Sequence, residues 1–274
     1  MPTDQLTILS QSSLQDYLDC PRRFQLRYIE KLSYPAVESE PAVENEKHQA
    51  EGEYFHRLVQ QSLVGIPDEQ INKLANSVNL QRWWENFLNS KGLAQLKNNS
   101  SLFTEMTLSA PLGNFRLVAK YDLIAIQNGK AAIYDWKTHR KRSRNEWLNA
   151  RMQTRVYRAL LVHAGMHLNN GTLFEPEQIE MVYWFADFPD DPARFPYTNA
   201  QYKRDWYTLL SLADEIKSAS SHPLTEDRQK CVFCPYRSFC ERGTQAGDID
   251  QAEAETEAEE QFDVNFEQIG EIAF

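Results

Sequence analysis

Apolar residues recur at helical spacing over five stretches of the chain. In the first stretch, Leu14, Leu18 and Phe24 share a face behind possible capping residues at Ser10 and Ser12, which favours a helix. A proline at position 21 is expected to kink or interrupt this helix. The stretches predicted to be helical are Ser10–Lys31, Glu46–Leu63, Asp68–Leu88, Asn145–His163 and Ala200–Ser218.

Strand-like stretches rich in β-branched and aromatic residues lie between these helices. Three follow one another and two come later, at Leu102–Leu112, Asn114–Gln127, Lys130–Lys137, Ile179–Ala186 and Arg194–Tyr197. Helices, then a hairpin-rich sheet, then a helix and a returning strand together predict a mixed α/β fold.

The hairpin in this sheet is defined by an Asn-Gly pair at positions 128 and 129, a strong local signal for a two-residue type I′ turn. With that loop, directly opposed residues have numbers that sum to 257, so Asp122 is expected to face Asp135. Period-two alternation puts Lys137 on the same face as Asp135 and Trp136 on the other. Because like charges opposed across a sheet are destabilising, the two aspartates need an explanation.

Two interpretations of this acidic pair are open. The face is exposed and Lys137 neutralises two acids, or the two carboxylates hold a divalent cation. Ile124 and Ile133 share the face and argue for partial burial. Mg²⁺ or Mn²⁺ prefers hard oxygen ligands and would supply the missing positive charge. Spacing alone leaves both interpretations open.

Composition and charge describe a globular body with a distinct tail. Of the 274 residues, 42% are hydrophobic and 12% aromatic, which is typical of a folded domain. The net charge is −10, yet no Lys or Arg follows Arg242, and ten acidic residues lie from Asp248 onward. The body is therefore neutral overall and can hold a local basic patch. We expect a folded domain over residues 1–243 and an acidic, low-complexity tail over residues 244–274.

No basic leader followed by an apolar stretch stands at the N-terminus, and no apolar run has the length that crosses a bilayer. The expectation is a cytoplasmic protein with no membrane partner.

The four cysteines form a second candidate site. Cys231, Cys234 and Cys240 have the spacing C-x₂-C-x₅-C, and Cys20 lies near the other end of the chain. In a reducing compartment this set favours metal ligation over disulfides. A tetrahedral site of four cysteines suits zinc or an iron–sulfur cluster, and ligand softness does not choose between them.

Several ordered motifs resemble one nuclease family. The N-terminal helix with its Cys-Pro is SQSSLQDYLDCPRRFQLRY, followed by EGEYFHRLV with Gly-x-x-x-His, DWKT at the end of the hairpin, and QTRVY with Gln-x-x-x-Tyr. Together with Asp122 they resemble the PD-(D/E)XK nuclease superfamily, in the RecB/AddB-like branch that includes CRISPR-associated adaptation exonucleases. The resemblance covers most of residues 8–243 and implies a restriction-endonuclease-like core, with a mixed central sheet flanked by helices.

The resemblance implies roles for individual residues. Asp122 and Asp135 would hold Mg²⁺ or Mn²⁺, with His56 as a nitrogen ligand and the carbonyl of Trp136 as a further ligand. Lys137 would orient or help to deprotonate the attacking water and stabilise charge on the phosphate. Further residues implied to position the lysine, the water or the nucleic-acid strand are Gln153 and Tyr157, for which core packing is the alternative.

For the cysteines, the resemblance implies a [4Fe–4S] cluster held by Cys20, Cys231, Cys234 and Cys240. Such a cluster would join the N-terminal and C-terminal segments around the nuclease core.

A basic run, KTHRKRSR, directly follows the second strand of the hairpin and could receive phosphates. Its candidate nucleic-acid contacts are Arg140, Lys141, Arg142 and Arg144. Trp83, Trp84 or Trp206 could stack on bases, although aromatic residues in amphipathic helices are more often part of a core.

The sequence therefore predicts a metal-dependent DNA nuclease, an exonuclease on single-stranded ends in repair, recombination or CRISPR-type processing, with helicase or CRISPR/repair proteins as partners. Two alternatives stay open: a non-catalytic DNA-binding subunit of a helicase–nuclease complex, and a zinc-stapled RNA nuclease.

Overall fold

The fold is known from a computed structural model, which describes residues 7–33, 42–90, 92–94, 96, 100–232 and 234–243. Among these residues one sheet contains β1 (Ile8–Leu9), β2 (Ser101–Leu112), β3 (Phe115–Gln127), β4 (Lys130–Lys137), β5 (Ile179–Phe185) and β6 (Phe188–Pro196). The helices are α1 (Gln11–Asp19), α2 (Pro21–Phe24), α3 (Ala42–Leu63), α4 (Asp68–Ile71), α5 (Val78–Asn89), α6 (Asn145–Ala150), α7 (Met152–Ala164), α8 (Asn199–Ser218) and α9 (Gln229–Val232). The predicted acidic tail, residues 244–274, lies outside the described residues.

The sheet is built around β3. The antiparallel β2 pairs with β3 from Leu112–Phe115 to Ser101–Ile126, so β1 and β4 both lie along the opposite edge of β3. On that edge, β1 is parallel beside residues 116–117 and β4 is antiparallel beside residues 123–127. Residues 118–122 lie between these two pairings. The sheet continues with β5, parallel to β4, and β6, antiparallel to β5. The predicted mixed sheet is confirmed.

Helices cover both faces of the sheet. On one face, α1, α7 and α8 bury the larger apolar cluster, which includes Leu14, Leu160 and Leu212 together with Ile124 and Ile133 of the hairpin. On the other face, α3 and α5 bury a second cluster that is rich in aromatic residues: Phe55, Trp83, Trp84, Phe87, Trp136 and Trp184. The buried side chains of the hairpin therefore alternate between two separate cores.

The Asn-Gly hairpin forms as predicted. Asn128 and Gly129 both have positive φ, at 52° and 73°, as a type I′ turn requires. Opposed residues have numbers that sum to 257, from Gln127–Lys130 to Leu123–Tyr134. The pairing ends there, one pair before Asp122 and Asp135.

Three predicted elements differ most from the observed boundaries, and the helix predicted over residues 46–63 begins four residues earlier, at Ala42. The expected helix over residues 145–163 is two helices, because Arg151 is extended and the N–H of Met152 donates to Oε1 of Gln15, 3.2 Å away. The expected helix over residues 68–88 is interrupted, and α5 begins behind Ser77, whose hydroxyl accepts from the N–H of Leu80. The last strand is longer than predicted and begins at Phe188.

Other details follow the sequence more closely. Pro21 ends α1, since Cys20 is extended and the proline begins α2. Of the two interpretations of Trp83 and Trp84, core packing is confirmed, because both rings are buried in the second cluster. Trp206 is half-buried and stacks on His163. None of the described helices combines the length and apolar character needed to cross a membrane.

Candidate active site

The site lies where β4 separates from β3. Beyond Tyr134, the main chain of β4 bonds to side chains instead of to a neighbouring strand on this edge. The N–H of Trp136 donates to Oδ2 of Asp122 at 2.8 Å, and the carbonyl of Trp136 accepts from Nε2 of His56 at 2.9 Å. Asp122 and His56 therefore take up the backbone groups that a continuing ladder would have used.

Helix α3 brings two histidines to this edge. His56 bonds to the Trp136 carbonyl, and Nε2 of His48, two turns earlier, lies 3.1 Å from the carbonyl of Thr138. Gly52 stands between them on the same face of α3, since residues four apart on a helix share a face. Its missing side chain allows α3 to approach Thr138 closely. The Gly-x-x-x-His element thus packs against the end of β4.

Asp122 is held as an anion. Burial alone would raise the pKa of its carboxyl, but the charge of His56, hydrogen bonds from His56 and the Trp136 N–H, and the charge of Lys137 together lower it. Nδ1 of His56 lies 3.4 Å from Oδ2 of Asp122. Because Nε2 of His56 faces a carbonyl, it must carry a proton to donate.

Asp135 and Lys137 form the second half of the site. Both side chains are buried, with Nζ of Lys137 at 2.8 Å from Oδ2 of Asp135. Gln153 at the start of α7 bridges them: its Nε2 donates to Oδ1 of Asp135 at 2.7 Å, and its Oε1 accepts from Lys137 at 3.2 Å. The predicted Gln153 is therefore placed directly against both charged groups.

Tyr157, one turn further along α7, contacts the core. Its ring lies 4.6 Å from that of Tyr121, and its main-chain carbonyl accepts from the Tyr121 hydroxyl at 2.9 Å. Tyr121 is the residue before Asp122, so this contact fixes α7 against β3 beneath the site.

One residue beside Gln153 was not predicted from the sequence. The hydroxyl of Tyr183 on β5 lies 3.3 Å from Oε1 of Gln153 and 2.7 Å from Oγ1 of Thr154. From Met181 to Phe185, β5 is a continuous apolar run, in which a tyrosine looks like any other core residue. Its relation to the site could have been found only from the pairing of Tyr183 with Asp135 across β4 and β5.

A distortion of β2 lies opposite Asp122. The β2–β3 pairs Thr104–Leu123 and Met106–Tyr121 flank Glu105, which has a φ of 53° and no partner within the ladder. Its carboxylate forms an ion pair with Lys120 instead. Pairing on both edges of β3 is thus interrupted at Asp122.

The basic residues after β4 differ in their exposure to solvent. Arg140, Lys141 and Arg144 are exposed. Arg142 is half-buried, with its Nε 2.8 Å from Oδ2 of Asp191 and its guanidinium 4.8 Å from the centre of the Phe185 ring. Arg142 therefore anchors this segment to β5 and β6.

The four cysteines meet at the junction of the N-terminal and C-terminal segments. All are free and line one cavity, whose other lining residues include Arg23, Lys230, Arg237 and Arg242. Lys230 pairs with Asp19 at 2.8 Å, and the Tyr236 hydroxyl donates to the carbonyl of Leu32 at 2.9 Å. Burial raises the pKa of Cys234 to about 11, so this thiol keeps its proton in the present arrangement.

Neither candidate metal site is preassembled among the described residues, which contain no group of three or more His, Cys, Asp or Glu side chains arranged to hold an ion. The chemistry of the donors nevertheless fits the predicted metals. At the end of β4, two carboxylates, an imidazole and a carbonyl now bond to one another and to Lys137 and Gln153. Hard divalent cations prefer such oxygen-rich sets, and four cysteines that line one cavity suit a soft metal or a cluster, which binds them as thiolates.

The sequence and the fold are both similar to those of known proteins. The family model described as the PD-(D/E)XK nuclease superfamily matches residues 8–241. In fold, the chain is similar to a protein from Eubacterium rectale named as a candidate exonuclease, with a TM-score of 0.53 and 10% identity over 93% of this chain and 95% of that chain. It is also similar to the protein SSO0001, with a TM-score of 0.40 and 15% identity over 88% of this chain and 89% of that chain. A search of the curated proteins finds no match.

Proposed function

Because this chain belongs to the PD-(D/E)XK nuclease superfamily, we propose that it is a metal-dependent deoxyribonuclease that acts as an exonuclease on single-stranded ends. The observation that carries this proposal is the joint placement of Asp122, Asp135, Lys137 and His56 around the end of β4. The Eubacterium rectale protein that shares the fold is named as a candidate exonuclease, which supports the preference for ends.

In this proposal Mg²⁺ or Mn²⁺ is held by Asp122, Asp135, His56 and the carbonyl of Trp136. A bound ion of this kind supplies Lewis acidity toward the phosphate and lowers the pKa of its water. The lowered pKa of Asp122 keeps an anionic oxygen ready at neutral pH. His56 would hold the ion through a ring nitrogen that has lost its proton, so it would give up either its bond to the Trp136 carbonyl or its contact with Asp122.

Lys137 acts on the reacting groups themselves, and Gln153 holds it in place. The ammonium of Lys137 orients the attacking water and offsets charge that develops on the phosphate. Gln153 holds that ammonium beside Asp135 through its two bonds, which limits the positions that Lys137 can adopt. Tyr157 supports this arrangement by packing α7 against Tyr121.

The nucleic-acid strand is proposed to run along the basic segment after β4. Arg140, Lys141 and Arg144 are exposed and follow Lys137 directly, so they can meet phosphates next to the site. Arg142 contributes by fixing the segment to Asp191.

The test is cleavage of end-labelled DNA and RNA by the purified protein with Mn²⁺ or Mg²⁺, beside Asp135→Asn and Lys137→Met. Cleavage of single-stranded DNA that both substitutions reduce by at least about a hundredfold is expected. Asp190→Asn, which changes an exposed acid of β6, is the matched control and should retain full activity. A folded wild type that binds DNA without cutting it would favour the non-catalytic subunit, and preferential cutting of RNA would favour the RNA nuclease.

We further propose that Cys20, Cys231, Cys234 and Cys240 bind a [4Fe–4S] cluster that joins the two ends of the folded domain. Their common cavity supports this, and so do Arg237 and Arg242 in its lining, because cluster and thiolates together are anionic. The other two cationic side chains of the lining, Arg23 and Lys230, pair with Asp16 and Asp19. Anaerobically purified protein should be brown and contain about four iron and four sulfide per chain. Cys234→Ser should remove the colour and the iron, whereas colourless protein with bound zinc would contradict the cluster.

A further inference from the structure

Tyr183 occupies a place in the site that neither the motifs nor the family resemblance accounts for. It lies on β5 in register with Asp135 of the parallel strand β4, and its side chain is fully buried. Residues in register on adjacent strands share a face, so the ring lies beside Asp135 on the face toward α7.

The hydroxyl of Tyr183 has a defined direction. Oγ1 of Thr154 lies 2.5 Å from the carbonyl of Leu148, which can only accept, so the Thr154 proton is used there. The Tyr183 hydroxyl, 2.7 Å from Oγ1 of Thr154, must then be the donor in that contact. The same proton also faces Oε1 of Gln153, at the longer distance of 3.3 Å, as the second acceptor of a three-centre hydrogen bond.

This donor matters because the amide of Gln153 has two possible orientations. In the orientation found here, Oε1 accepts from Lys137 and Nε2 donates to Asp135. The reversed amide would turn its N–H groups toward the ammonium and its oxygen toward the carboxylate. Lys137 and Asp135 already favour this orientation, and the Tyr183 proton on the Oε1 side adds to that preference.

The ring of Tyr183 provides a second contact. Nζ of Lys137 lies 5.2 Å from the ring centre, within the range of a cation–π interaction. Lys137 thus lies against the ring, and its hydrogen-bond partner Gln153 lies against the hydroxyl of the same residue.

We propose that Tyr183 is a positioning residue of the nuclease site: its hydroxyl helps to hold the Gln153 amide, and Gln153 in turn holds Lys137 beside Asp135. Tyr183 itself does not touch the substrate. The inference rests on the proposed function, because Lys137 is taken there to act on the reacting groups.

The kinetic test uses Tyr183→Phe, which keeps the ring and removes the hydroxyl. Loss of one positioning hydrogen bond should lower kcat about tenfold and leave KM for single-stranded DNA unchanged. In a Gln153→Ala background the same substitution should have no further effect on kcat, because the partner through which it acts is absent. A full tenfold effect in that background, or an unchanged kcat in Tyr183→Phe, would overturn the proposal.

Two further variants separate positioning from stability. Tyr197→Phe removes another buried hydroxyl, bonded to Asp205 at 3.1 Å, and should lower the thermal midpoint without changing kcat. Thr154→Val directs the Tyr183 proton to Gln153 and should keep kcat within about twofold of wild type despite a lower midpoint. A tenfold fall in kcat for Thr154→Val would mean that network stability sets turnover, which rejects a specific role for Tyr183.

An NMR measurement that does not depend on catalysis tests the role of Tyr183 separately from the proposed nuclease function. In ¹⁵N-labelled protein, the side-chain amide signals of Gln153, identified by their loss in Gln153→Ala, should move and broaden in Tyr183→Phe. If the wild type cleaves no nucleic acid, the nuclease proposal fails, and these signals still decide whether Tyr183 positions Gln153. Unchanged signals would reject positioning whatever the activity.

Discussion

Gly52 lies against Thr138 so closely that a methyl group at position 52 would come within 2.8 Å of Oγ1 of Thr138. The contact is between the face of α3 that carries His56 and the segment that directly follows Lys137. The distance between α3 and this segment therefore sets the length of the hydrogen bond from His56 to the carbonyl of Trp136.

Gly52→Ala should therefore separate stability from activity. Alanine is favoured over glycine inside a helix by roughly 1 kcal/mol, which offsets the cost of moving Thr138. We expect the free energy of unfolding to change by less than about 1 kcal/mol, while displacement of His56 lowers nuclease activity at least tenfold. Urea unfolding and the cleavage assay measure the two quantities.

The control for this prediction is a second substitution. Thr138→Ala removes Oγ1 and should restore activity in the Gly52→Ala background, because the next atom of Thr138 lies 3.8 Å from the added methyl group. Thr138→Ser keeps the hydroxyl and should restore nothing. Equal rescue by both would show that the contact with Oγ1 is not the cause.

Neighbouring basic residues after β4 are expected to contribute differently to DNA affinity. Replacing both Arg140 and Lys141 by Gln should weaken single-stranded DNA binding several-fold and reduce the salt slope by roughly 1.4, about 0.7 for each lost phosphate contact. Arg142→Gln should leave the slope unchanged, because its guanidinium is bonded to Asp191. Titration at several salt concentrations measures both, and a slope that falls equally in Arg142→Gln would mean that Arg142 contacts DNA directly.

A buried ionic network between α7 and α8 predicts a large loss of stability. Asp205 accepts from Nε of Arg155 at 2.8 Å, and Arg158, which is buried, lies 3.8 Å from its other oxygen. Asp205→Ala leaves the Arg158 charge buried without its carboxylate, so the free energy of unfolding should fall by about 3 kcal/mol. Asp191→Ala removes an exposed acid and should cost under about 1 kcal/mol. Similar urea midpoints for the two variants would contradict this account.

His163 predicts a dependence of stability on pH. Burial lowers its pKa below the ordinary value of 6.5; its ring stacks on Trp206, and its Nε2 lies 2.7 Å from the Tyr202 hydroxyl. Between the pKa of His163 in the folded state and its pKa in the unfolded state, the unfolded chain binds more protons. The contribution of His163 to the free energy of unfolding is therefore complete above about pH 6.5 and is lost as the pH falls toward the pKa of the folded state.

The test is the thermal midpoint of wild type and His163→Phe at pH 5.5 and 7.5. The phenylalanine keeps the stacking and cannot titrate, so the midpoint should fall less on acidification in the variant. Some dependence should remain, because burial also lowers the pKa of His222. An identical fall in both proteins would exclude a contribution from His163.

The hairpin and its two faces could be predicted because they depend on local chemistry. Asn128 and Gly129 set the turn, the turn sets the register, and alternation then sends Trp136 and Lys137 into different cores. The end of the ladder before Asp122 could not be predicted in this way, since it depends on His56, which lies more than sixty residues before Asp122 in the chain.

Long-range contacts also explain the elements that were missed. The break at Arg151 depends on Gln15, and the two-residue strand Ile8–Leu9 is too short to carry a periodic signal. The Trp83 and Trp84 rings are buried because α5 packs on the sheet, a contact that an amphipathic pattern does not distinguish from exposure to a ligand. Tyr183 belongs to the site through pairing between strands about fifty residues apart.

The length of the hairpin turn determines which side chains of β4 reach the site. Because its two residues fix the register, inserting or deleting one residue between positions 127 and 130 would slide β4 against β3 by one place or turn its side chains to the opposite faces. A reversal of faces would turn Asp135 and Lys137 toward the aromatic core and Trp136 away from it. The site would then be lost although its residues were all still present in the sequence. Among proteins built on this plan, the length of that loop should vary less than its composition.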